Sequence, residues 1–175
     1  MSDRAAVERA KTRAGDVPLA VVALIGTVGA MSLASASSGP TATSDKGRKT
    51  RTIHVIQTNE AVFTNIDVGA TGDSPGDYVV ITGPLVHPTT SQRVGSVNAV
   101  CTLMQVTDQF PSQCVATASF RQGDITAQGM FLSVTGAPNV LAVTGGTGAY
   151  KTAHGTVTAT ILEDGATDLV FRLIL

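Results

Sequence analysis

Tryptophan is absent from this chain, and 175 residues carry only two tyrosines and five phenylalanines. So few rings cannot build the stacking platform that holds single-stranded nucleic acid. An excess of positive charge is missing too: the formal net charge is -1, so no basic surface points to a nucleic-acid partner. No Gly-x-Ser-x-Gly elbow occurs, which leaves serine-triad hydrolysis without a visible nucleophile. His54, His87 and His154 are scattered, without the close spacing of a zinc site. Asp67, Asp73 and Asp77 crowd one loop, but their spacing is not that of a calcium loop, and Asp73-Ser74-Pro75-Gly76 is ordinary turn chemistry. No metal and no cofactor is expected.

What is present begins with a leader. Arg4, Arg9, Lys11 and Arg13 precede an apolar run from Val17 to Leu33, and Ala34-Ser35-Ala36 supplies the small residues a signal peptidase accepts. Residues 1–36 are predicted to be a secretory signal peptide. The alternative is a retained membrane anchor over 17–36, which has about the ~20 residues a bilayer span needs. Gly26, Gly29 and the small-residue ending favour cleavage, hence an extracellular protein. No cysteine ends the apolar run and no Arg-Arg pair stands before it, against lipidation and twin-arginine export. Residues 37–51 are rich in Ser, Thr, Gly and basic residues and read as a flexible linker. Residues 52–175 remain for one domain, long enough to bury a core.

That domain reads as strand after strand. Candidates run from Ile53 to Asn59, Asp77 to Gly83, Val94 to Val106, Cys114 to Phe120, Ile125 to Val134, Val140 to Thr144, Thr156 to Leu162 and Leu169 to Leu175, with Gly, Pro, Asp or Asn in nearly every gap. No segment sustains an i, i+3, i+4 apolar pattern over a helical length. Short strands separated by turns predict a sandwich or a barrel. Alternation assigns the faces: Val97, Ala99, Cys101 and Leu103 share one side, as do Cys114, Ala116, Ala118 and Phe120, then Ile125, Ala127 and Phe131, then Leu169, Phe171 and Leu173. If the sheet closes, its interior is aliphatic with few fixed charges.

Cys101 and Cys114 are the only cysteines and fall on the same face of adjacent candidate strands. Export, spacing and face together predict a disulfide across a hairpin closed by Thr107-Asp108-Gln109-Phe110-Pro111. The alternative is a reactive inward-facing thiol. Further on, Gly145-Gly146-Thr147-Gly148-Ala149-Tyr150-Lys151-Thr152 imitates a phosphate loop, yet Tyr150 stands where that loop needs its second glycine. The segment after it, Gly155-Thr156-Val157-Thr158-Ala159-Thr160-Ile161, reads as a strand, whereas a phosphate site needs a helix N-terminus there. These glycines are therefore expected to turn one strand into the next.

An ordered set of short matches carries a family resemblance. Gly76-Asp77, Arg93-Val94-Gly95, Cys101 with Gln105, Ser119-Phe120, Gly123-Asp124-Ile125 with Gln128-Gly129, Leu141 to Gly148 and Gly155-Thr156-Val157 occur here in the order found in allene oxide cyclases. The chain thus resembles those cyclases and the related dirigent proteins over roughly Thr52 to Leu175. The resemblance implies an all-β, eight-stranded antiparallel up-and-down barrel of the calycin-like kind, with an apolar lumen and commonly assembled as a homotrimer. In the cyclases a first-strand glutamate and an asparagine-bound water open a fatty-acid epoxide held in the lumen. Val55-Ile56-Gln57-Thr58-Asn59-Glu60 matches that strand: Asn59 fits the asparagine, while Gln57 stands in place of the acid. A glutamine exchanges hydrogen bonds but cannot carry a carboxylate's charge. Glu60, on a regular strand, would point away from both. Cys101 corresponds to a lumen cysteine of the cyclases.

These features leave two expectations. In the first, the protein is a secreted barrel that binds an apolar small molecule and steers an isomerase-type cyclisation or a coupling, with Gln57 and Asn59 as the catalytic candidates. Its lumen would be lined by Val55, Val97, Leu103, Phe120, Phe131 and Phe171. In the second, it is a non-catalytic binding or structural barrel whose interior those side chains fill completely. A membrane partner enters only if the leader is retained.

Overall fold

The computed structural model describes residue 47 and residues 49–175. The expected leader and most of the expected linker lie outside the described residues, so the choice between signal and anchor is not decided by them. Within the described residues no helix is long and apolar enough to cross a membrane.

Nine strands succeed one another: β1 (Thr50–Gln57), β2 (Val62–Ile66), β3 (Tyr78–Val86), β4 (Arg93–Leu103), β5 (Ser112–Phe120), β6 (Gly123–Phe131), β7 (Pro138–Gly146), β8 (His154–Ile161) and β9 (Thr167–Ile174). Neighbours from β3 to β9 pair antiparallel in chain order, β9 pairs with β1, and β1 returns to β3 at Ile56↔Val86 and Gln57↔Leu85. That last pairing closes an eight-stranded antiparallel barrel, as the resemblance implied and as one of the two architectures the strand pattern allowed. Closure removes the sheet edges that would otherwise template aggregation.

Several features differ from those expected of the sequence. Thr50 and Arg51, assigned to the linker, open β1, where they pair with Ile174 and Leu173. β2 has no counterpart among the candidate strands. It bonds to β3 from Val62↔Thr82 to Ile66↔Tyr78, beyond the point where β1 leaves that strand. Met104–Val106 and Leu132–Val134 belong to loops rather than to strand ends. Gly145 and Gly146 lie in β7 instead of turning the chain; the turn is the short 3-10 segment Gly148–Tyr150 after them. Gly146 packs so closely that a Cβ there would sit 2.5 Å from the Asp124 carbonyl oxygen. Gly148 has φ +57, a conformation only glycine adopts without strain.

The interior is unevenly filled. At the end bearing the 3-10 turn, Tyr150 is buried, and the ring of Phe120 meets Tyr150 and Phe171 edge-on with both centroid distances 6.1 Å. The Arg51 guanidinium lies 5.4 Å from the Tyr150 ring centroid, a cation–π contact that ties the start of β1 to this plug. Val55, Leu85, Ile125 and Leu173 complete the buried layer. Cys101 and Cys114 are directly paired across β4 and β5 and form a disulfide. For a closed loop of this size the chain-entropy contribution is about 3 kcal/mol. Neither cysteine is a free thiol.

Candidate functional site

The other end of the barrel is hollow. A cavity of about 330 Å3 runs among the inward side chains of the strands. Alternation places these residues inside, and their size explains the space: Ala99, Ala116, Ala118, Ala127 and Ala159 all line it, where larger side chains would have met across the lumen. Val79, Ile81, Val97, Leu141, Val157 and Leu169 make the aliphatic wall, with Phe131, Phe171 and the disulfide. A completely filled interior, the expectation for a purely structural barrel, is therefore not what forms. Phe63 lines the cavity from β2 and is half exposed, so the cavity opens to solvent beside that strand.

Polar groups on the wall are few: Gln57, Asn65, Ser112, Ser133 and Thr167. None carries a charge. Gln57 ends β1 at the seam of the barrel and is 8% exposed. It is held between Thr167 on β9 and Leu85 on β3, while Gly83 leaves room for its Cγ, which would be 3.5 Å from a Cβ at that position. No described side chain or backbone group hydrogen-bonds the Gln57 amide, so its donors and acceptor face the cavity unspent.

The sequence candidates divide accordingly. Gln57, Val97, Phe131 and Phe171 line the cavity. Val55 and Phe120 are in the packed part and do not reach it: Val55 is 2% exposed, and Phe120 is engaged by Tyr150. Asn59 is not brought to Gln57. β1 stops at Gln57, the chain turns with the Ala61 N–H donating to the Thr58 carbonyl at 3.1 Å, and both Asn59 and Glu60 are exposed on that turn. The turn forms there because Gly83 has no side chain; a Cβ at Gly83 would lie 2.7 Å from that of Ala61. Leu103 belongs to an outer hollow of about 290 Å3, which shares Asn65, Val79, Cys101, Ser112 and Ser133 with the cavity.

This vestibule is walled on one side by the loop between β2 and β3, with Asp67, Asp73 and Asp77. Asp77 organises the loop: its carboxylate accepts the Val68 N–H at 2.7 Å and the Ser74 N–H at 2.6 Å. Those two bonds, chiefly the one from Val68, hold its pKa below the ordinary carboxylate value. Asp67 accepts the Gly72 N–H at 3.1 Å. Asp67 and Asp77 therefore act as turn staples, while Asp73 accepts no described hydrogen bond. The histidines are dispersed: His54 bonds Asp168 on the barrel exterior, His87 accepts from the Thr89 N–H, and His154 lies against the Thr152 carbonyl.

Two lining features lie beyond the sequence candidates. Phe63 and Asn65 sit on the unexpected β2. The alanines belong to the inner face by alternation, but the space they leave is not part of that expectation, although small residues recurring at inward positions of four strands are a legible sign of a hollow.

No family model and no curated protein matches the sequence. Solved structures do. A pyocyanin demethylase superposes with a TM-score of 0.57 and 25% identity, covering 71% of this chain and 99% of that one. A pterocarpan synthase dirigent protein gives a TM-score of 0.59 at 19% identity, over 79% of this chain and 95% of that one. An exo-specific intermolecular Diels-Alderase gives 0.52 at 12% identity, over 73% and 99%. The chain shares the barrel fold of these proteins. Dirigent proteins were among the relatives implied by the sequence motifs, and dirigent structures are among these neighbours. The lumen is walled by neutral side chains, with Gln57 as its most buried polar group.

Proposed function

We propose that this chain is an exported barrel that takes an apolar small molecule into its lumen and steers a cyclisation or coupling of it. The observation that carries the reading is the 330 Å3 cavity, apolar on nearly all of its wall and open beside β2. Such a site binds by desolvating an apolar body and orients it with a few polar contacts. The wall holds no carboxylate, histidine or lysine, so no residue in it is equipped for general acid–base catalysis. Reactions matched to such a wall are those in which the reacting atoms need only be brought together in one arrangement: ring closure of a folded polyene, or coupling of a substrate already activated. Holding a near-attack geometry is itself a large part of the barrier in such steps. Gln57 supplies a hydrogen bond to a carbonyl or hydroxyl oxygen of the ligand and so sets which face reacts. The dirigent and Diels-Alderase neighbours support this class of reaction, while allene oxide opening, which in the cyclases uses an acid, is disfavoured by Gln57.

Export rests on the leader and agrees with the disulfide. Assembly as a homotrimer is part of the same proposal and is supported by an apolar stripe on the barrel exterior. Val100 and Val115 are paired there across β4 and β5, with Met130 and Val140 exposed on the next two strands.

The test is native mass spectrometry of the protein purified from the culture medium, alone and with a panel of neutral polyenes and phenols. Binding of one equivalent per chain is expected, and incubation of a reactive member should shift its cyclised or coupled products toward one stereoisomer. Binding without any change in product ratio would identify a carrier rather than a catalyst. No binding by any class would reject the proposal.

A further inference from the structure

Charge is sorted along the barrel axis. The loops at the open end carry Asp67, Asp73, Asp77, Asp108, Glu163 and Asp164, and no lysine or arginine. The basic residues of the barrel lie toward the opposite end. Lys49 and Arg51 are at the start of β1, Arg93 at the start of β4, Arg121 between β5 and β6, Lys151 between β7 and β8, and Arg172 near the end of β9. Asp124, bonded through Thr147, is the carboxylate that breaks the pattern. Three of the aspartates, all from the loop between β2 and β3, wall one side of the vestibule that shares residues with the cavity, and the other acidic loops lie at the same end of the barrel.

We infer that the site selects against anionic ligands and favours those whose trailing group is cationic, which sets the substrate class within the lumen-binding function proposed above. Two observations converge. Inside, Gln57 is more than nine-tenths buried as a residue and lines the cavity, and its amide has no described partner, which calls for an uncharged polar atom on the ligand's leading part. A carboxylate placed there would lose its hydration with no cation to meet it, a large penalty. At the mouth, the trailing part of any ligand meets a negative field focused by the low-dielectric barrel walls. A carboxylate is repelled at that position, and an ammonium or aromatic cation is attracted. The ligand is thus an apolar body with a neutral oxygen or nitrogen for Gln57 and an amine or heteroaromatic cation at the rim. A free fatty acid fits neither end.

The experiment uses three probes with one apolar body: dodecylamine, dodecanol and dodecanoate, below their micellar concentrations, titrated calorimetrically into the exported protein at pH 7 in low and high salt. Affinity is expected to rank amine above alcohol above carboxylate, with amine and carboxylate differing at least tenfold in low salt. The gap should narrow in high salt, where the ~8–10 Å screening length at physiological salt contracts to about 3 Å at 1 M. A variant with Asp108→Asn and Glu163→Gln removes carboxylates of the open-end loops that line neither the cavity nor the vestibule and make no described hydrogen bond, and should narrow the gap without changing the affinity for dodecanol. Carboxylate binding equal to or tighter than amine binding would overturn the inference while leaving lumen binding intact. Failure of all three probes would overturn both.

Discussion

Gln57 concentrates what is unusual about this lumen: a buried amide with its hydrogen-bonding capacity directed at empty space. A net hydrogen bond is worth about 1 kcal/mol, and leaving a buried partner unpaired costs about 1–3 kcal/mol. Gln57→Leu is therefore expected to keep the barrel folded, because nothing in the protein depends on the amide, and to weaken an oxygen-bearing ligand about five- to tenfold. A hydrocarbon ligand of the same shape should bind the variant as well as the parent. Calorimetry with such a matched pair decides the matter: an equal loss for both ligands would mean that the residue acts through shape alone. This residue was legible from the order of motifs around it. Asn59 was not placed correctly, because the expectation extended β1 through a position where Gly83, on another strand, admits a turn. A close approach between strands leaves no mark in the local pattern of either one.

Among the elements, the hairpins were the easiest to read and β2 the hardest. β4 and β5 alternate cleanly, with a disulfide between directly opposed residues, so face and register emerged together. β2 shows no such contrast: Val62, Phe63, Thr64 and Asn65 are all exposed, since one face looks into an open mouth and the other into solvent. The β7 glycines misled for a related reason, being required by close packing against Asp124 and Tyr150 rather than by a change of direction. The loop joining β2 to β3 depends on the ionised Asp77. Because its folded-state pKa lies below the ordinary 3.8, its stabilising effect is complete above that value and is lost as pH falls through the lower, folded-state pKa. The amide resonances of Val68 and Ser74 should shift together in an acid titration monitored by NMR, with a midpoint below 3.8. In Asp77→Asn both shifts should vanish and the two amides should exchange faster. A midpoint at or above the ordinary value would show that the two N–H bonds do not hold the carboxylate.

At the scale of the whole molecule, alternation assigned the inner faces and the resemblance supplied closure, but hollowness depends on the sum of side chains facing one another across the lumen. That sum is set by which strands oppose which, and it is fixed only by the tilt and stagger of the closed barrel. The alanines decide it here. Ala116 lines the cavity and is only partly buried, so part of its methyl faces the open space. Ala116→Leu adds three carbons into that space. In a close-packed core such an insertion costs about 1–3 kcal/mol; into a void it instead gains burial at about 0.8 kcal/mol per methylene. The melting temperature of the variant is expected to equal or exceed that of the parent, while ligand affinity falls at least tenfold because the added side chain occupies the ligand's volume. A lowered melting temperature together with undiminished binding would mean that ligands bind somewhere other than this lumen.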